Sequence, residues 1–76
     1  MKKFYYAMSN DAFVEVTDTE YAELENLIEQ NASIIDEHDA SVFETAERSP
    51  LFAANEKRIQ QILRMTDEQF NNTILY

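Results

Sequence analysis

Seventy-six residues provide for one small domain, 1–76, with no room for a second core. Fifteen acidic residues face six basic ones, a formal charge of −9, and such a surface repels phosphate, which excludes direct nucleic-acid binding as the expected activity. The chain has no Cys, which removes disulfides and thiolate metal sites, and no Gly, which removes the P-loop, the dinucleotide fingerprint and the nucleophile elbow.

A hydrophobic content of 45%, with five Phe and four Tyr, argues for a packed core rather than disorder. The apolar run after Lys2-Lys3 stops at Ser9-Asn10-Asp11, too short for an export signal, and no later segment is long enough to span a membrane. The expected location is cytoplasmic.

Residues 2–8 alternate, with Phe4, Tyr6 and Met8 on one face and Tyr5 and Ala7 on the other. Residues 12–16 alternate likewise, Ala12, Val14 and Val16 opposing Phe13 and Glu15. Two such runs around Ser9-Asn10-Asp11 predict a β-hairpin whose turn relies on Asn and Asp in place of Gly. Thr17 with Glu20 forms a capping-box pattern that starts a helix at Asp18, striped with Tyr21, Leu24, Leu27 and Ile28 and fading near Asn31. Phe4, Tyr6, Val14, Tyr21, Leu24 and Ile28 are the expected core of this half.

Residues 33–47 fit two readings. As a helix capped by Ser33, they place Ile34, Ile35, His38, Val42 and Ala46 on one face with Asp36, Glu37, Glu44 and Glu47 largely opposite. As two strands, 33–37 and 41–46, they would turn at His38-Asp39-Ala40. The helical period separates acidic from apolar residues better and is favoured. Ser49-Pro50 opens a further helix with Phe52, Asn55, Ile59, Ile62 and Leu63 at helical spacing. Thr66 and Gln69 form another capping box before Phe70 and Ile74. The predicted fold is α+β, an N-terminal hairpin packed against about three helices, with ββαββα as the alternative.

The charge is distributed in blocks. Residues 4–47 carry twelve acidic residues and no Lys or Arg, whereas residues 48–76 carry three acids against four bases. On the first helix Asp18, Glu25 and Glu29 fall on one flank of the apolar stripe and Glu20 and Glu23 on the other. Surface helices ordinarily mix signs and gain from (i, i+4) pairs, and here that support is missing. Solubility and favourable interaction of Asp18 and Glu20 with the helix dipole account for part of the pattern. The remainder suggests an acidic face whose counter-charges lie on another molecule, formed by Asp18, Glu25, Glu29, Asp36, Glu37, Glu44 and Glu47.

In its size, its acidic block and its hairpin-plus-helix build the chain resembles the small acidic inhibitors of phages and other mobile elements, among them anti-restriction DNA mimics and anti-CRISPR proteins. The resemblance implies a non-enzymatic inhibitor that covers the basic, nucleic-acid-binding surface of a host protein such as a CRISPR effector or a restriction enzyme. The alternative is a small structural or regulatory interaction module, homodimeric in one form, whose acids serve solubility. No cofactor, metal or catalytic residue is expected. Asp36-Glu37-His38-Asp39 has the residue types of a metal site, but its helical period sets His38 on the apolar side as a core or boundary histidine. Phe4-Tyr5-Tyr6 reads as strand core, with Tyr5 available as an exposed contact residue. Lys57, Arg58 and Arg64 read as internal counterweights to the acidic block.

Overall fold

The computed structural model describes residues 1–7, 11–73 and 75–76. The expected hairpin turn at Ser9-Asn10, the place of Met8 on its strand and that of Ile74 in the last helix lie outside the described residues.

Two strands, β1 (Lys2–Tyr5) and β2 (Phe13–Val16), pair antiparallel with Phe4 opposite Val14 and Lys2 opposite Val16. Four helices follow: α1 (Asp18–His38), α2 (Val42–Arg48), α3 (Pro50–Leu63) and α4 (Asp67–Asn71). The α+β expectation holds, and no strand forms between residues 33 and 47, which sets aside the ββαββα alternative.

Three of the capping signals act where the sequence places them, while Ser33 lies inside the first helix and caps nothing. Thr17 Oγ1 accepts from the Glu20 N–H at 3.1 Å, and the Glu20 carboxylate accepts from the Thr17 N–H at 2.9 Å. Thr66 and Gln69 repeat the arrangement at α4. Ser49 caps α3 through the Phe52 N–H, ahead of Pro50 at the first helical position. Each such cap satisfies N–H groups that a helix start leaves without a partner.

Residues 33–47 correct both readings of that segment. The first helix does not fade at Asn31 but runs on to His38, where Asp39 stops it in the left-handed conformation at φ 48°. A second N-cap, Ser41, then opens α2 by accepting from the Glu44 N–H at 3.2 Å. The break divides the supposed shared face. His38 is exposed in the last turn of α1 and is not a core residue, and Val42 is exposed as well, while Ala46 is half-buried.

Val16, Leu24, Ile59, Ile62, Leu63 and Phe70 form the core cluster, and Phe52, outside that cluster, is fully buried with its ring 5.7 Å from that of Tyr76. Of the six core residues expected in the N-terminal half, Leu24 is fully buried and Phe4, Tyr6, Val14, Tyr21 and Ile28 are half-buried. A two-stranded hairpin has too little area to close over both helices, so its inner side chains reach solvent at the margins. The Phe4 and Tyr21 rings meet edge-on at 5.9 Å and hold β1 against α1. On the outer face Tyr5 and Phe13 pair at 5.6 Å, with Lys3 Nζ 4.8 Å from the Phe13 ring.

Three polar residues are buried with the core: Asn31, Thr45 and Asn55. Asn55 Nδ2 donates to Asn31 Oδ1 at 3.0 Å and to Gln30 Oε1 at 3.1 Å. Asn31 Nδ2 donates to the Phe52 carbonyl at 3.4 Å and to the Tyr76 hydroxyl at 3.1 Å. That hydroxyl donates in turn to Glu56 Oε1 at 3.4 Å. Thr45 Oγ1 donates to the Ser41 carbonyl at 2.8 Å. Among the described residues no buried side-chain polar atom lacks a partner, as a low-dielectric interior demands. Among them, too, no helix is long and apolar enough to cross a membrane.

Candidate functional site

All seven acids assigned to the acidic face are exposed. None forms a side-chain hydrogen bond or ion pair with a described residue. At about 100° per residue, Asp18, Glu25, Glu29 and Asp36 lie within about 40° of one another, a single stripe some ~27 Å long on α1. The helix that continues to His38 is what brings Asp36 into line with the first three. Glu37 falls about 100° away and belongs to the outward side of α1. Glu44 and Glu47 stand on α2, a separate helix beyond the Asp39 stop. The structure therefore aligns four of the seven and leaves three off that line.

The opposite flank of α1 behaves differently. Glu23 meets Arg58 of α3 in a two-pronged contact, Nε to Oε2 at 2.7 Å and the second guanidinium nitrogen to Oε1 at 3.0 Å. The hydrogen bond from Arg58 holds the Glu23 carboxyl below its ordinary pKa, and the same bond raises that of Arg58. Glu20 is lowered by the Thr17 backbone N–H. Arg58 is an internal counterweight as expected. Arg64 reaches the Glu15 carbonyl at 3.5 Å and so faces the backbone of β2.

Beside the acidic stripe runs an open groove of about 750 Å³ between β1 and α1. Phe4, Tyr5, Ile28 and Ala32 line it with apolar surface, and Glu25 and Glu29 stand on its helical wall. Sequence periodicity places the two carboxylates beside the apolar stripe of α1 but gives no sign of the groove, which exists because β1 packs along α1.

A second, smaller cavity of about 150 Å³ is lined by Glu56, Phe70 and Tyr76 among others. Burial raises the pKa of Glu56 and pushes that of Tyr76 up to about 12. Neither residue stands out in the sequence. The signal available was Asn55 on the apolar stripe of α3, since a buried amide requires polar partners. Among the described residues no three His, Asp or Glu gather closely enough to hold a metal ion, and His38 at the end of α1 faces solvent.

No family model, curated protein or solved structure matches the chain.

Proposed function

We propose that the protein is a non-enzymatic inhibitor that occupies a basic, nucleic-acid-binding surface of another protein, of the restriction-enzyme or CRISPR-effector type, through its acidic face. The observation that carries this reading is the stripe of Asp18, Glu25, Glu29 and Asp36, exposed and without a counter-charge among the described residues, beside a flank where Glu23 is neutralised by Arg58. Four charges over about 27 Å are sparser than the phosphates of a DNA strand, one per about 3.4 Å. The stripe thus engages selected Lys and Arg side chains and does not reproduce a continuous backbone. Glu37, Glu44 and Glu47 extend the field around it and favour encounter with a positive surface.

The test is capture of the partner from host lysate, followed by binding of the purified pair at increasing salt and in competition with nucleic acid. Binding should weaken steeply with salt, nucleic acid should displace the protein, and Glu25→Lys with Glu29→Lys should weaken it at least tenfold. A complex indifferent to salt and to the charge reversal overturns the reading.

A second reading rests on exposed apolar residues: Phe43 is 73% exposed and Leu51 58%. Self-association through these side chains would make the protein an interaction module whose acids serve solubility. Sedimentation of the wild type against Phe43→Ser and against Leu51→Ser distinguishes it, since only a dimer that uses the changed side chain dissociates.

A further inference from the structure

The pairing register of the hairpin determines which backbone groups of β1 remain open. The Tyr6 N–H donates to the Ala12 carbonyl at 3.1 Å, which places Tyr6–Ala12, Phe4–Val14 and Lys2–Val16 at the mutually hydrogen-bonded positions. Lys3 and Tyr5 fall at the alternate positions, so their N–H and C=O groups point away from β2. They have no partner among the described residues. The corresponding edge of β2 differs, because Arg64 covers the Glu15 carbonyl.

The open edge of β1 borders the groove described above. Phe4 and Tyr5 of β1, with Tyr6 and Ala7 just beyond it, line one side, and Glu25, Ile28, Glu29 and Ala32 of α1 line the other. Glu25 and Glu29 lie one helical turn apart, about 6 Å, while alternate residues of an extended chain recur at about 6.6 Å.

We propose that this groove is a docking site for an extended segment of a basic protein, which adds to the sheet as a third strand beside β1. The segment pairs with the backbone of Lys3 and Tyr5 and directs two Lys or Arg side chains, at alternate positions, toward Glu25 and Glu29. Their aliphatic stems lie over Ile28 and Ala32, and their charged heads reach the carboxylates at the rim. The occupant is basic because the helical wall presents two carboxylates without a counter-charge among the described residues. The proposal rests on the reading that the partner is basic and adds how it is gripped.

The test uses the full chain and a blocked pentapeptide, Thr-Arg-Val-Arg-Thr, with titration calorimetry up to about 1 mM peptide. Three further peptides accompany it: one with Glu in place of both Arg, and two isomers N-methylated on alternate backbone amides. The parent should bind, the Glu version should be at least tenfold weaker, and one methylated isomer should lose at least tenfold while the other retains affinity. Glu25→Gln with Glu29→Gln should reduce parent binding at least fivefold. Absence of parent binding at 1 mM, or equal affinity of the two methylated isomers, overturns strand addition. If the isomers are equal but Arg is still preferred over Glu, strand addition fails while the basic-partner reading stands. If the Glu peptide binds as well as the parent, the basic-partner reading fails at this groove.

Discussion

α1 and α3 pack against each other but use their amphipathic patterns for different ends. α3 buries Phe52, Asn55, Ile59, Ile62 and Leu63 within 14 residues, because α1, α2 and β2 all contact it. α1 buries Leu24 and Asn31 within 21 residues, with the hairpin and α3 covering one side. Charge follows the same division. A carboxylate on the flank of α1 that looks toward α3, Glu23, finds a guanidinium, whereas Glu25, two residues on, finds none among the described residues. The sign of a side chain is thus less informative than the neighbour its helix presents to it.

The largest effect should come from the core side of α3. Phe52→Ala should cost about 3–5 kcal/mol, comparable to the whole stability of a domain this size. Leu51→Ala, next along the same helix but exposed, should stay within about 0.5 kcal/mol, both read from urea denaturation. Comparable losses at the two positions would mean that α3 is turned the other way.

The amides joining the two helices come next. Asn31→Ala removes partners of Asn55 and Tyr76 and should cost about 1–3 kcal/mol. The double change with Asn55→Ala should cost less than the sum of the two single changes, because both remove one shared hydrogen bond.

The pH dependence separates a half-buried carboxylate on α3, Glu56, from an ion-paired one on α1, Glu23. Glu56 has its pKa raised by burial, so the folded state holds its proton more tightly than the unfolded chain. Its contribution is present below the ordinary value of 4.5 and is lost as pH rises through the elevated one. Glu56→Gln should therefore raise Tm at pH 7, and the gain should vanish below pH 4.5. Glu23 is lowered, so its contribution is present above 4.5 and is lost as pH falls through the depressed value. Glu23→Gln should lower Tm at pH 7 and match the wild type in acid. Thermal melts across pH 3–8 would show the two variants diverging in opposite directions.

The smallest effect belongs to the outer flank. Glu29→Lys converts the like-charged Glu25–Glu29 pair into a Glu-to-Lys pair one turn apart, which should stabilise the isolated chain by about 0.5 kcal/mol. A destabilisation beyond 1 kcal/mol would show that Glu29 serves the fold.

How far the sequence carried the structure is clearest at the helix ends and least clear at Asn31. Thr17 with Glu20, Ser49 with Pro50, and Thr66 with Gln69 are local devices acting within four residues, and each starts its helix as the sequence implies. The five buried positions of α3 follow from its period, since partners on several sides keep one stripe dry. Asn31 misleads because a polar side chain at a core position resembles the end of a stripe. It is seven residues beyond Leu24, on the same face, and its partner Asn55 is 24 residues away. Tertiary pairing of two amides thus conceals the last two turns of α1, and with them the alignment of Asp36. The groove beside Glu25 and Glu29 was hidden for a related reason: it depends on where the hairpin lies relative to the helix, which no local pattern encodes.

The chain ends α1 and α3 with left-handed backbone at Asp39 and Arg64, φ 48° and 56°, although it contains no glycine. A residue bearing a Cβ in that region costs roughly 1–2 kcal/mol relative to its right-handed conformation. Such a residue also has far fewer alternative conformations than glycine. The corners between α1 and α2 and between α3 and α4 are therefore drawn from a narrower unfolded ensemble than glycine corners would be. The chain thus loses less backbone entropy on folding at these two places, which offsets part of the cost of the left-handed conformation.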